Sequence, residues 1–160
     1  MIIRKLCDAD YPAVLKLYEE LDKLHADARP DCNVVREVPY PKDAYDEVTN
    51  HPDCLMLGAF DKTGTILGTV RATLWEDSGM VKDLKNVCLD NIYVLPAYRR
   101  MGIGKKLFLE VENWSREKGA VRLELHVWEF NRDAMALYTA MGMTPQRHVL
   151  EKKLELYEEN

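Results

Sequence analysis

The residues with the clearest chemical meaning lie between Tyr98 and Lys105, in the run Arg99-Arg100-Met101-Gly102-Ile103-Gly104-Lys105. A β-type segment ends at Pro96, and an amphipathic helical segment opens at Ile103, so this run is a basic turn at a helix start. The first N–H groups of a helix have no internal acceptor, and the helix start carries partial positive charge, which suits an anion. Gly102 and Gly104 remove side chains where a backbone must come close to a ligand, and Arg99, Arg100 and Lys105 add full charges. A pyrophosphate matches this chemistry. Two other phosphate loops do not match. In a Walker loop the first glycine would stand where Arg99 is and a hydroxyl where Lys106 is. A dinucleotide fingerprint needs a third glycine at Leu107. The bland alternative is a tight turn of no functional meaning.

Other reactive residues are dispersed. Cys7, Cys32, Cys54 and Cys88 form no Cys-x-x-Cys pair, and His25, His51, His126 and His148 have no ligand spacing, so no metal is expected. The formal charge of −5 disfavours nucleic acid as a partner. No stretch is long and apolar enough to span a membrane, and Arg4, Lys5 and Asp8 interrupt the N-terminus where a signal peptide is apolar. A cytoplasmic protein is expected. With 160 residues, 47% hydrophobic and 31% charged, the chain is read as a single domain over 1–160.

The elements that hold this turn follow from periodicity. Met1–Leu6 reads as a strand, and Val14, Leu17, Tyr18, Leu21 and Leu24 form one helical face, with Asp8 or Asp10 as its cap. Prolines break the pattern between Ala28 and Pro41, and a short helix follows over Asp43–Thr49. Cys54–Phe60 and Thr65–Trp75 form a hairpin about the turn at 61–64, and Val87–Leu95 is the next strand. Ile103, Leu107, Val111 and Trp114 mark a helix ended by Gly119; Val121–Trp128 alternates as a strand; Arg132–Met141 is the last helix. One or two strands carrying Val149, Leu150 and Leu154 complete the expected order β-α-α-β-β-β-α-β-α-β, an α/β fold with a mixed sheet.

The run Arg99 to Gly104 resembles the Arg/Gln-x-x-Gly-x-Gly/Ala signature of the GNAT superfamily of N-acetyltransferases. The likeness continues in Trp128-Glu-Phe-Asn131-Arg-Asp-Ala134-Met-Ala-Leu-Tyr138, with its Asn and its Tyr seven residues later, and in Leu137 to Met143. This resemblance implies a mixed sheet with splayed fourth and fifth strands, flanked by helices. It implies acetyl-CoA as co-substrate. Ile92, Tyr93 and Val94 would lie along the pantetheine arm, Arg99 through Lys105 around the pyrophosphate, and Asn131, Ala134 and Tyr138 near the arm and the sulfur. Tyr138 would act as general acid, and Asp90 as acceptor of the amine proton, with a solvated strand carboxylate as the alternative for Asp90. An oxyanion donor is expected near Val94.

The acceptor side would include His25, Arg29, Trp75, Asp90 and Asn91, with Asp31, Glu37, Tyr40, Glu76 and Asp77 as further candidates. The implied reaction is direct acetyl transfer to a primary amine of a small molecule. A protein lysine or N-terminal acetyltransferase and a non-catalytic acyl-CoA sensor remain open. Homodimers are common in the family.

Overall fold

The computed structural model describes residues 1–76 and 84–154; most of the expected acceptor loop after Glu76, Asp77 included, lies outside the described residues. Five strands, β1 (Ile2–Lys5), β2 (Cys54–Phe60), β3 (Ile66–Glu76), β4 (Lys85–Val94) and β5 (Arg122–Leu125), form one sheet in the order β1-β2-β3-β4-β5. The first three pairings are antiparallel and β4–β5 is parallel. Helices α1 (Tyr11–Ala28) and α2 (Lys42–Asn50) cover one face; α3 (Ile103–Glu117) and α4 (Arg132–Ala140) cover the other. Because both faces are covered, β2 is buried almost throughout and reads as a continuous apolar run.

Leu107 and Val111 of α3 are fully buried against Leu57, Val70, Val87 and Leu89, and each such side chain stabilises by about 1.5–3 kcal/mol. On the opposite face Val14, Leu17 and Tyr18 of α1 pack with Tyr45, Met56 and Tyr93. Helix α1 stops where Arg29 precedes Pro30, since the residue before proline is pushed out of the helical region. Asp10 does precede α1, but its carboxylate makes no cap there. It takes both ends of the Arg4 guanidinium at 2.7 and 2.8 Å and the Cys7 N–H at 2.9 Å.

Two expectations differ from the fold. Strand β5 is four residues long, because beyond Leu125 no β4 residue remains alongside it. The strands expected near the C-terminus are absent among the described residues: 144–154 is irregular, and Val149, Leu150 and Leu154 are 89%, 91% and 79% exposed. Two adjacent apolar residues followed by three charges give no period-2 face to bury.

Candidate active site

Strand β4 has two different halves. Asn86 to Leu89 pairs with both neighbours, β3 and β5. From Asp90 to Val94 only the β3 side is paired. The register between β3 and β4 slips here: Ala72 faces Leu89 and Arg71 faces Asn91, so Asp90 is the extra residue of a bulge. The Leu95 N–H donates to the Leu67 carbonyl at 2.9 Å. Antiparallel pairs alternate between bonded and non-bonded, so the main-chain groups of Val94 and Ile92 turn away from β3 into the gap beside β5, and those of Tyr93 turn toward β3. Of the three residues expected along an extended ligand, Ile92 and Val94 therefore offer their peptide groups. Tyr93 instead buries its ring on the α1 face.

The basic turn sits directly beyond this gap. Arg100 has φ 61° and Gly102 φ 77°, two left-handed residues that curl the chain before α3. An added Cβ at Gly102 meets nothing within 4 Å, so the glycine is there for its backbone angle. At Gly104 a Cβ would come within 3.2 Å of Leu137 Cδ2, so this position also lets α3 approach α4. The first helical bond of α3 runs from Lys106 N–H to the Gly102 carbonyl, which leaves the N–H groups of Ile103, Gly104 and Lys105 without helical acceptors. The Ile103 side chain is buried in the core, so that residue offers only its amide. Met101 is exposed, as is Lys105.

The two arginines diverge. Arg99 folds back, donating from Nε to the Val94 carbonyl at 3.0 Å with its guanidinium over the Tyr93 ring. Arg100 reaches Asp133 at the start of α4, at 2.6 Å, in a pair open to solvent.

On α4, Asn131 is the N-cap: its Oδ1 accepts from the Ala134 N–H at 3.2 Å. This is a local structural task beside the expected ligand contact. Ala134 is half-buried against the α3-side core. The Tyr138 ring is buried near Phe108, and its hydroxyl makes no hydrogen bond to a described residue. Burial raises its ionisation to about 12, so the phenol keeps its proton.

On the α1 face the bulge brings Asp90 and Asn91 to the same side. The Asp90 carboxylate is 20% exposed although the residue as a whole is open, so its free surface is largely main chain. Its Oδ2 accepts from Arg71 Nε at 3.1 Å and from Thr73 Oγ1 at 2.7 Å. Arg71 Nη1 reaches the Tyr40 hydroxyl at 3.4 Å, and Tyr40 stacks on Tyr18 with centroids 4.5 Å apart. The Tyr18 hydroxyl accepts from Asn91 Nδ2 at 2.9 Å, while Asn91 Oδ1 is buried without a partner among the described residues. Burial, then the Asp90 carboxylate, push the Cys88 thiol up to about 11, so it is no thiolate near neutrality.

The remaining candidates lie further out. Trp75 shares a face with Arg71 and Thr73 but pairs opposite Asn86, about 13 Å along the strand from Arg71 at the usual rise. His25 packs edge-on against Phe130, and burial lowers its pKa. Arg29 lies over Trp128 and is paired with Asp31 and Glu151. Sequence reasoning missed Arg71, Thr73 and Tyr18 as site residues. The signal was present in β3, where a lone arginine and a threonine alternate with buried Val70, Ala72 and half-buried Leu74.

A gap beside a half-paired strand, leading to a row of free amides at a helix start, is the arrangement that sequence comparison also points to. The family described as Acetyltransferase (GNAT) family matches residues 14–143, and the chain belongs to it. It is 43% identical over 58 residues to thialysine N-epsilon-acetyltransferase of Bos taurus, covering 36% of this chain and 34% of that protein. It is 36% identical over 62 residues to aminoglycoside N(6')-acetyltransferase type 1 of Acinetobacter genomosp. 13, covering 39% of this chain and 42% of that protein. These matches thus span less than half the length of either relative. The fold also superposes on aminoglycoside antibiotic 6'-N-acetyltransferase AAC(6')-Ih from Acinetobacter baumannii with a TM-score of 0.74 at 20% identity, covering 97% of this chain and 98% of that one. For aminoglycoside N-acetyltransferase AAC(6')-Iy in complex with CoA the TM-score is 0.72 at 19% identity, covering 97% and 100%. At such identities the likeness is one of fold. No helix among the described residues is long and apolar enough to cross a membrane.

Proposed function

We propose that this chain transfers the acetyl group of acetyl-CoA directly to a primary amine of a small molecule, both substrates being bound together. One observation carries this reading: the peptide groups of Ile92 and Val94 face a gap that continues into the free amides of Ile103, Gly104 and Lys105. A thioester carried on an extended, amide-rich arm with a pyrophosphate at its end fits both halves of that path. The Val94 carbonyl already accepts from Arg99, so its N–H is the donor available to an oxyanion on the acetyl carbon.

The acceptor amine arrives as an ammonium, with a pKa of about 10. It loses a proton toward Asp90, whose two described hydrogen bonds both fall on Oδ2. The nitrogen lone pair then attacks the acetyl carbon, the C–S bond breaks, and the sulfur leaves with both electrons. Tyr138 lies about 3 to 4 units above an ordinary thiol in pKa, so completing the proton transfer is uphill by about 5 kcal/mol. Its role is to donate a hydrogen bond to the leaving sulfur as charge builds there. Cys88 remains a thiol, which favours direct transfer over an acetyl-cysteine. Homodimerisation, supported by the exposed Val149, Leu150 and Leu154, is part of this reading and is checked by light scattering on the eluted protein.

The test is free-thiol release from acetyl-CoA across polyamines, aminoglycosides, amino acids and lysine peptides, alongside calorimetry with CoA. Turnover on a small amine is expected. Binding of CoA without turnover on any amine favours a sensor; turnover confined to peptides favours a protein acetyltransferase.

A further inference from the structure

We infer that the acceptor carries a carboxylate as well as its amine, and that Arg71 is the residue that reads it. This rests on the acetyltransferase reading above. The three aspartates of the α1 side each already hold an arginine. Asp90 holds Arg71 at 3.1 Å, Asp22 holds Arg36 at 2.7 Å, and Asp31 holds Arg29 at 2.9 Å. Asp22 lies one turn beyond Tyr18 on α1, and Tyr18 touches Asn91, so these pairs border one surface. A polycationic acceptor is held by carboxylates in excess of fixed cations, and here each acid has its own cation. The surface is matched instead to a molecule bearing both signs.

Arg71 is the cation best placed for this. It stands on β3 directly opposite Asn91 and beside the Asp90 carboxylate at the bulge. Its Nε is committed to Asp90 and its Nη1 to the Tyr40 hydroxyl, while Nη2 makes no hydrogen bond to a described residue. The side chain is 29% exposed, so the free edge of the guanidinium is reachable yet shielded enough for a charged bond to count. The ring of Tyr40 and the aspartate fix the fork in place, which lowers the entropy lost when a carboxylate docks. An amino acid presents such a carboxylate; a polyamine or an aminoglycoside does not.

The experiment measures kcat/KM for matched acceptors that differ only in that charge, each amino acid against its carboxamide, such as lysine against lysinamide and thialysine against its amide. Spermidine and kanamycin serve as polycations. The free acids are expected to be better acceptors by roughly ten- to a hundredfold, the range of one charged hydrogen bond. Arg71→Gln is expected to bring the acid-to-amide ratio toward one, mainly through KM of the acid. A purely structural role, or a loss of support for Asp90, lowers both members of each pair and leaves the ratio unchanged. Arg71→Lys, which keeps the charge without the fork, is expected to fall between. Equal rates for acid and amide in the unaltered protein, or an unchanged ratio in Arg71→Gln, overturn the inference while acetyl transfer itself stands. Failure of every amine, with CoA still bound, overturns both readings together. If Arg71→Gln does not fold, the unaltered protein and Arg71→Lys decide the matter.

Discussion

Arg99 donates from Nε to the carbonyl of Val94 at 3.0 Å, so the residue that opens the basic turn also clasps the end of β4. Strand end and helix start are thereby held at one spacing, which a ligand touching both requires.

Arg99→Ala removes that clasp and one charge. The pair is exposed, and the expected loss is at the lower end for a charged hydrogen bond, roughly five- to tenfold in acetyl-CoA affinity. Calorimetry checks this, with melting temperature expected to change little.

The two glycines of the turn respond differently to alanine. Gly102→Ala forces a side chain into a left-handed residue and is expected to cost about 1–2 kcal/mol of stability and to weaken CoA binding. Gly104→Ala meets only the flexible end of Leu137 and gains helix propensity, so stability is expected to hold. Its methyl group nevertheless enters the path to the free amides, and affinity is expected to fall. Thermal melts and CoA titration of both variants separate backbone strain from obstruction.

Tyr138→Phe removes a hydroxyl with no hydrogen bond to a described residue and leaves the buried ring in place. The variant is expected to melt within about 0.5 kcal/mol of the original. Turnover is expected to fall by roughly a hundredfold, within the usual range for a lost acid catalyst, with acetyl-CoA affinity kept. Because burial raises this phenol to about 12, no loss of activity from its ionisation is expected up to pH 10. Unchanged turnover in well-folded Tyr138→Phe removes the residue from the mechanism.

Asp10 gives a prediction about acid stability. The Arg4 guanidinium, chiefly, lowers its carboxyl from 3.8 to about 2. A depressed acid stabilises the fold above its unfolded pKa, and that contribution is lost as pH falls from about 4 to about 2. The difference is about 2 kcal/mol. Asp10→Asn is expected to be less stable by about that amount at pH 7, with the two proteins converging near pH 2 in denaturant titrations.

Much of this was legible from residue order. The turn at Arg99 to Gly104, the hairpin of β2 and β3 and the faces of α1 and α3 rest on local spacing, which the chain displays openly. Arg71 was not legible as a site residue, because its partner Asp90 is 19 positions away and faces it only through a register slip. Asn131 was legible as a motif residue, but its capping bond to Ala134 depends on where α4 begins. The C-terminal apolar residues were misread because hydrophobicity alone was taken for a strand, when a strand also needs an edge to join.

The extra residue at position 90 has a wider consequence. A strand normally alternates its sides like odd and even numbers, and this single insertion exchanges the two for everything after it. Removing one residue there would send the Asn91 and Tyr93 side chains to the opposite layer and rotate the Ile92 and Val94 amides out of the gap. Substitutions at position 90 are therefore expected to be survivable, whereas a one-residue deletion would invert the downstream half of the strand.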